Sequence, residues 1–168
     1  MAVVTFKGVE VHTLGSLPPL GSLAPGFALT TQDLKTVTLS NFKGKIVVLN
    51  IFMSLDTSTC ATSVRTFNKA AADLENTIVV CISKDLPYAQ RRFCATEGIE
   101  NLVTLADFRN DNFGDAYKTL ILDGPLEGLH TRCVVVIDKE GYVRYTEQVP
   151  EIVKEPDYRS ALKAASEL

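Results

Sequence analysis

The stretch Lys45-Ile46-Val47-Val48-Leu49-Asn50-Ile51-Phe52 constrains the fold more than any other part of the chain. It is nearly continuous in apolar residues and does not alternate with polar ones, so both of its faces must be covered. That is the situation of a central strand in a sheet with layers packed on either side. Asp56-Thr57-Ser58-Thr59 follows almost at once and supplies helix-start chemistry. Val64, Phe67, Ala71 and Leu74 then recur at helical spacing, which predicts a helix from about Ser58 to Leu74.

The rest of the chain extends this strand–helix unit. Val3 to His12 reads as two short strands around a turn at Lys7-Gly8. Gly15, Pro18, Pro19, Gly21, Pro25 and Gly26 mark a loop, and Phe27–Thr30 with Val37–Leu39 looks like a second strand pair. Thr77 to Ser83 is another buried strand, and Pro87 opens a helix that passes through Cys94 and ends near Gly98. Leu102–Leu105 is a short strand and Phe113–Tyr117 a helical turn. Arg132–Asp138 and Tyr142–Glu147 form a hairpin around Lys139-Glu140-Gly141. Pro156 is expected to open a last helix with Tyr158, Ala161, Leu162 and Ala165 on one face. Strand, helix, strand, helix, strand, hairpin and closing helix make an α/β sandwich around a mixed central sheet.

Composition sets limits on function. The chain has 168 residues, 46% hydrophobic and 22% charged, the balance of one globular domain spanning residues 1–168. Its net charge of −3 argues against a non-specific nucleic-acid binder and gives no attraction to an anionic membrane. No apolar run is long enough to span a bilayer, and MAVVTFKGVE lacks the apolar core of a secretory signal, so a cytoplasmic location is expected. The four cysteines are too few for a disulfide-stapled scaffold and include no Cys-x-x-Cys pair. Each is therefore a buried hydrophobe or a reactive group. His12 and His130 have no ligand spacing to each other or to the cysteines, so no metal or other cofactor is expected.

Cys60 is the thiol best placed for reactivity. It falls in the first turn of a helix that follows a buried strand, where α/β folds expose functional groups. Free amides and the positive end of the helix dipole there favour an anion. A free thiol with a pKa near 8.5 is roughly 3% ionised at pH 7, and lowering it to about 6 makes roughly 90% of it thiolate. Position alone leaves open a small packed cysteine at a helix start. Thr57 has two readings as well. It is a plain N-cap, or it is a hydroxyl that accepts and donates hydrogen bonds beside the sulfur.

The segment Phe52-Met53-Ser54-Leu55-Asp56-Thr57-Ser58-Thr59-Cys60-Ala61-Thr62-Ser63-Val64-Arg65-Thr66-Phe67-Asn68 resembles the peroxidatic segment of peroxiredoxins, and most of all that of the bacterial thiol peroxidase subfamily. The resemblance continues through Val80 to Gln90, Arg92-Phe93-Cys94, Asp123-Gly124-Pro125-Leu126, Val134 to Asp138 and Glu155-Pro156-Asp157-Tyr158, so it covers nearly the whole chain. It departs at one place. The family motif is Pro-x-x-x-Thr-x-x-Cys, and its proline position holds Met53, a longer, flexible and oxidisable side chain.

The resemblance implies a thioredoxin-like fold with an N-terminal β-hairpin. It implies a thiol peroxidase that reduces hydrogen peroxide and organic hydroperoxides, with Cys60 as peroxidatic cysteine, Cys94 as resolving cysteine, and Thr57 and Arg132 completing the site. It also implies an intramolecular Cys60–Cys94 disulfide, thioredoxin as reductant and a homodimer. Closing the chain between those cysteines corresponds to about 4 kcal/mol of unfolded-state entropy. Without the family, Cys94 is a helix cysteine with basic neighbours and Arg132 a strand-end charge. Cys133, one residue beyond Arg132, should face the opposite side of the sheet and belong to the core, as should Cys81. Two other readings compete: a redox sensor or binding protein on the same fold, and, more weakly, a cysteine hydrolase pairing Cys60 with His130.

Overall fold

The computed structural model describes residues 1–110 and 112–168. A hairpin of β1 (Ala2–Phe6) and β2 (Val9–Thr13) stands apart as a two-stranded sheet. Its turn falls at Lys7-Gly8, both with positive φ, at 53° and 82°. Glycine adopts this backbone at no steric cost. A second hairpin, β3 (Ala28–Thr30) and β4 (Thr36–Thr38), forms one edge of the main sheet. Leu39, expected to end that second strand, instead begins a 3-10 turn over Leu39–Phe42.

The main unit runs β5 (Ile46–Ile51), α1 (Ser58–Ala71), β6 (Thr77–Ser83), α2 (Pro87–Glu97), β7 (Val103–Ala106) and α3 (Asn112–Tyr117). It ends with β8 (Cys133–Ile137), β9 (Val143–Gln148) and α4 (Tyr158–Ser166). The seven-stranded sheet has the order β4-β3-β7-β6-β5-β8-β9. β5, β6 and β7 are parallel, β8 runs antiparallel to β5, and β9 turns back antiparallel to β8 as a hairpin.

All six residues of β5 are buried, as expected for a central strand. Val48 belongs to one core layer and Leu49 to the other. Val64 and Phe67 of α1, Ala161 and Ala165 of α4 and Cys94 of α2 pack on the first face. Phe113 and Tyr117 of α3, with Phe27 from the preceding loop, pack on the second. Phe67 meets Tyr158 edge-on at 5.2 Å, which joins α1 to α4. Truncating such a buried aromatic costs about 3–5 kcal/mol.

Two helix ends differ from the sequence expectation. α1 stops at Ala71, because Asp73 and Leu74 donate to Ala70 and Ala71 in tighter bonds that end the α pattern. α4 starts at Tyr158 and not at Pro156, because Asp157 accepts a hydrogen bond from the Ser160 amide and acts as the N-cap. Pro87 and Gly98 bracket α2 as expected, with Gly98 in the left-handed region at φ 65°. Among the described residues no helix is long and apolar enough to cross a membrane.

The N-terminal hairpin is fastened to the sheet near the end of β9. Thr5 donates its amide to Pro150 at 2.7 Å, and Ile152 returns a bond to Thr5 at 2.8 Å. Val4 and Val11 enter the first core layer. The hairpin thereby holds the segment 150–153 over the carboxyl end of β5.

Candidate active site

Thr57 has extended backbone, φ −97° and ψ 144°, and is the N-cap residue of α1. Its hydroxyl does not cap the helix. It donates to the Ser54 carbonyl at 3.0 Å, and the Thr57 amide donates to the same oxygen at 3.1 Å. The first turn of α1 therefore has no side-chain cap. Helix starts of this kind leave amide donors free for an anion. Cys60 is in this turn.

Arg132 immediately precedes β8, one residue outside the strand it was expected to open. It is 1% exposed. Its Nε donates to the Ile152 carbonyl at 2.8 Å, and its Nη2 reaches the Cys60 sulfur at 3.4 Å. Nη1 is buried with no hydrogen-bond partner among the described residues. A buried guanidinium lacking an anionic neighbour loses several kcal/mol of hydration. The Cys60 sulfur is the group its Nη2 meets. The hairpin, the segment 150–153 and Arg132 thus form one continuous support for the sulfur.

A cavity of about 310 Å3 lies over this constellation. Thr57, Ser58 and Thr59 line it on the helix side and Arg132 at its base, with Phe6, Leu126, Ile152 and Val153 as apolar walls. Met53 also lines it and is 4% exposed. Cys60 itself is completely covered, although the reactive reading of the sequence required a reachable sulfur. It belongs to the same core cluster as Met53. A second cavity of about 250 Å3, bordered by Leu39, Phe42 and Lys43, has no cysteine in its lining.

All four cysteines are free thiols. Cys94 lies in α2 and is largely buried. Burial pushes its thiol up, opposed by hydrogen bonds with Gln32 and Thr104. The basic neighbours noticed in the sequence are turned away: Arg92 ion-pairs with Asp56 at 3.5 Å on the surface. Cys133 sits in the second core layer, across the sheet from Cys60, as strand alternation required. Cys81 lies in β6, where the Asn50 side-chain amide donates to its sulfur at 3.6 Å. His130 has both ring nitrogens engaged, one with Thr119 and one with Asp107, each at 2.9 Å, which leaves neither for a hydrolase pairing with Cys60.

One group had no signal in the sequence. Asp85, between β6 and α2, accepts from the Ser54 hydroxyl at 2.7 Å and from the Leu55 amide at 2.8 Å. The parallel register that sets Ile51 beside Ile82 brings the ends of β5 and β6 together and makes this contact possible.

Comparison with known proteins identifies the family. A family model described as Redoxin matches residues 19–162. The thiol peroxidase of Mycobacterium tuberculosis is 52% identical over 164 residues, covering 98% of each chain. The crystal structure of a peroxiredoxin-like protein from Aquifex aeolicus superposes with a TM-score of 0.93 at 37% identity, over 98% of this chain and 96% of that one. A thiol peroxidase from Chromobacterium violaceum, 20% identical, has the same fold, with a TM-score of 0.90 over 98% of this chain and 96% of its own. With a family model matched over most of its length and a relative more than half identical across it, the chain is a member of the Redoxin family, a thiol-dependent peroxidase of the peroxiredoxin type.

Proposed function

We propose that Cys60 is the sulfur that attacks the peroxide and that Cys94 resolves it. The observation that carries this is the 3.4 Å contact between Arg132 Nη2 and the Cys60 sulfur, inside a site with no side-chain helix cap. The Cys60 thiolate attacks the terminal oxygen of ROOH. The oxygen–oxygen bond breaks, and the alkoxide leaves as ROH after taking a proton. The sulfur becomes a sulfenic acid. Arg132 Nη1, with no other partner, can donate to the departing oxygen where negative charge develops. The Thr57 hydroxyl is spent on Ser54 as a donor but keeps lone pairs to receive a hydrogen bond from the peroxide.

Cys94 then displaces hydroxide from the sulfenic acid, giving water and a Cys60–Cys94 disulfide. A disulfide needs Cα atoms within about 7 Å. Both residues lie inside helices here, so α1 or α2 unwinds locally to bring the sulfurs together. An external dithiol protein of the thioredoxin type restores both thiols by exchange. Such a cycle suits a reducing compartment, which favours the cytoplasm. The apolar walls of the cavity suit organic hydroperoxides as well as hydrogen peroxide. The whole span 1–168 is read as one catalytic domain that pairs as a homodimer, with no nucleic acid, membrane, metal or cofactor in the reaction.

Stopped-flow oxidation of the reduced protein, with thiol counting afterwards, tests the assignment. Wild type should lose two thiols per peroxide and Cys60→Ser none. The complete burial of Cys60 favours one rival, a redox sensor that oxidises slowly and passes its disulfide to a specific protein. A slow rate constant with both hydrogen peroxide and an alkyl hydroperoxide would support that rival.

A further inference from the structure

We infer that Asp85 is a positioning residue for the reaction at Cys60, acting through Ser54 and Thr57 without touching the substrate. The inference rests on the reading of Cys60 as the attacking sulfur. Ser54 is the hinge of the argument. Its hydroxyl donates to Asp85 Oδ1 at 2.7 Å and accepts from the Asp56 amide at 3.1 Å. Its carbonyl takes both hydrogen bonds from Thr57. The other carboxylate oxygen of Asp85 accepts from the Leu55 amide at 2.8 Å and from the Ser83 hydroxyl at 2.6 Å. Asp85 in turn donates its own amide to Ser83 at 3.3 Å.

The carboxylate therefore fixes Ser54 and Leu55 against the end of β6, and Ser54 fixes Thr57. Asp85 does not line the cavity, whereas Thr57 does. The loop in question begins at Met53, which has none of the backbone restriction of a proline. Hydrogen bonds to one carboxylate supply the restraint. Asp85 is also next to Leu86, the N-cap residue of α2, so the same group ties the Cys60 loop to the start of the helix that carries the second sulfur.

A displacement of about 1 Å in a positioning contact costs about a hundredfold in rate. Asp85→Ala should accordingly lower the second-order rate constant for Cys60 oxidation by about ten- to a hundredfold. Asp85→Asn should fall between this and wild type, because its amide offers only one acceptor oxygen to donors that now use two. A purely structural role predicts the same loss whatever occupies position 57. Positioning through Thr57 predicts otherwise: in a Thr57→Val background, Asp85→Ala should add less than about twofold, because the contact it serves is already gone.

The measurement is single-turnover oxidation by stopped flow for the four proteins of that cycle, with circular dichroism on each. If Asp85→Ala does not fold, Asp85→Asn and Ser54→Ala carry the same cycle. Rates within twofold of wild type in the folded variants, or effects that multiply independently with Thr57→Val, overturn the inference. Cys60→Ser run alongside separates the two levels. Turnover surviving in Cys60→Ser defeats the site assignment itself. An inert Cys60→Ser beside a fully active Asp85→Ala defeats only the role of Asp85.

Discussion

Cys60 and Cys81 are two thiols of one core layer, 0% and 1% exposed, with opposite surroundings. Cys81 is held in a strand, its backbone groups committed to β5 and β7, with a side-chain amide as its hydrogen-bond partner. Burial pushes its thiol up to about 12, eased by Asn50 and reinforced by nearby Cys94. Cys60 is as deeply covered, yet it has a guanidinium at 3.4 Å and sits in a helix start with no side-chain cap. Burial alone therefore does not decide whether a cysteine is inert. What matters is whether the same enclosure supplies positive charge, since in a medium of low polarity an opposite charge gains strength as solvation is lost.

The comparison breaks most visibly by substitution at the two sulfurs. Cys60→Ser should reduce peroxidase turnover to background, while Cys81→Ala should stay within about twofold of wild type; reversed results in a coupled thioredoxin assay would end the distinction. Cys94→Ser should consume one peroxide per chain and then stop, losing reductant-driven turnover while the first oxidation keeps its rate. Retained steady-state turnover would show that another thiol resolves Cys60.

Arg132→Leu removes the charge that separates the two environments. Its oxidation rate constant should fall about 10²–10³-fold, the usual loss for a donor to developing charge, with Arg132→Lys intermediate. A Leu variant oxidised at the wild-type rate would mean the guanidinium is not what distinguishes Cys60.

The smallest effect concerns stability. The folded thiol of Cys81 ionises only near 12, while an unfolded one ionises near about 8.5. The folded state therefore holds a proton that the unfolded state releases. The stability this represents is complete below about 8.5 and is lost as pH rises from there towards 12. Cys81→Ala should cost about 1 kcal/mol at neutral pH, and between pH 9 and 10 its stability should fall less steeply than that of wild type. Urea melts under reductant at both pH values measure the slopes, and equal slopes would reject the shift.

Much of this was legible along the chain. The unbroken apolar run from Ile46 identified β5 because covering both faces of a strand leaves no place for alternation. The helix start at Thr57–Cys60 followed from a few adjacent polar residues. The opposite placement of Arg132 and Cys133 followed from the two-residue period of a strand. The burial of Cys60 was not legible, because the core cluster that holds it gathers residues from different parts of the chain, Met53 and Ile152 among them. Asp85 escaped notice because Ser83-Lys84-Asp85 has the composition of any strand-to-helix loop.

By itself, then, the sequence determined the central strand, the helix carrying Cys60 and the opposite facing of Arg132 and Cys133, since these depend on periodicities within a few neighbouring residues. Only the tertiary structure decided that a guanidinium reaches Cys60, that Asp85 grips Ser54, and that Cys94 turns towards Gln32 and Thr104 and away from its basic neighbours. Those contacts join separate segments of the chain, and their distances are set by strand register and by how the helices settle on the sheet.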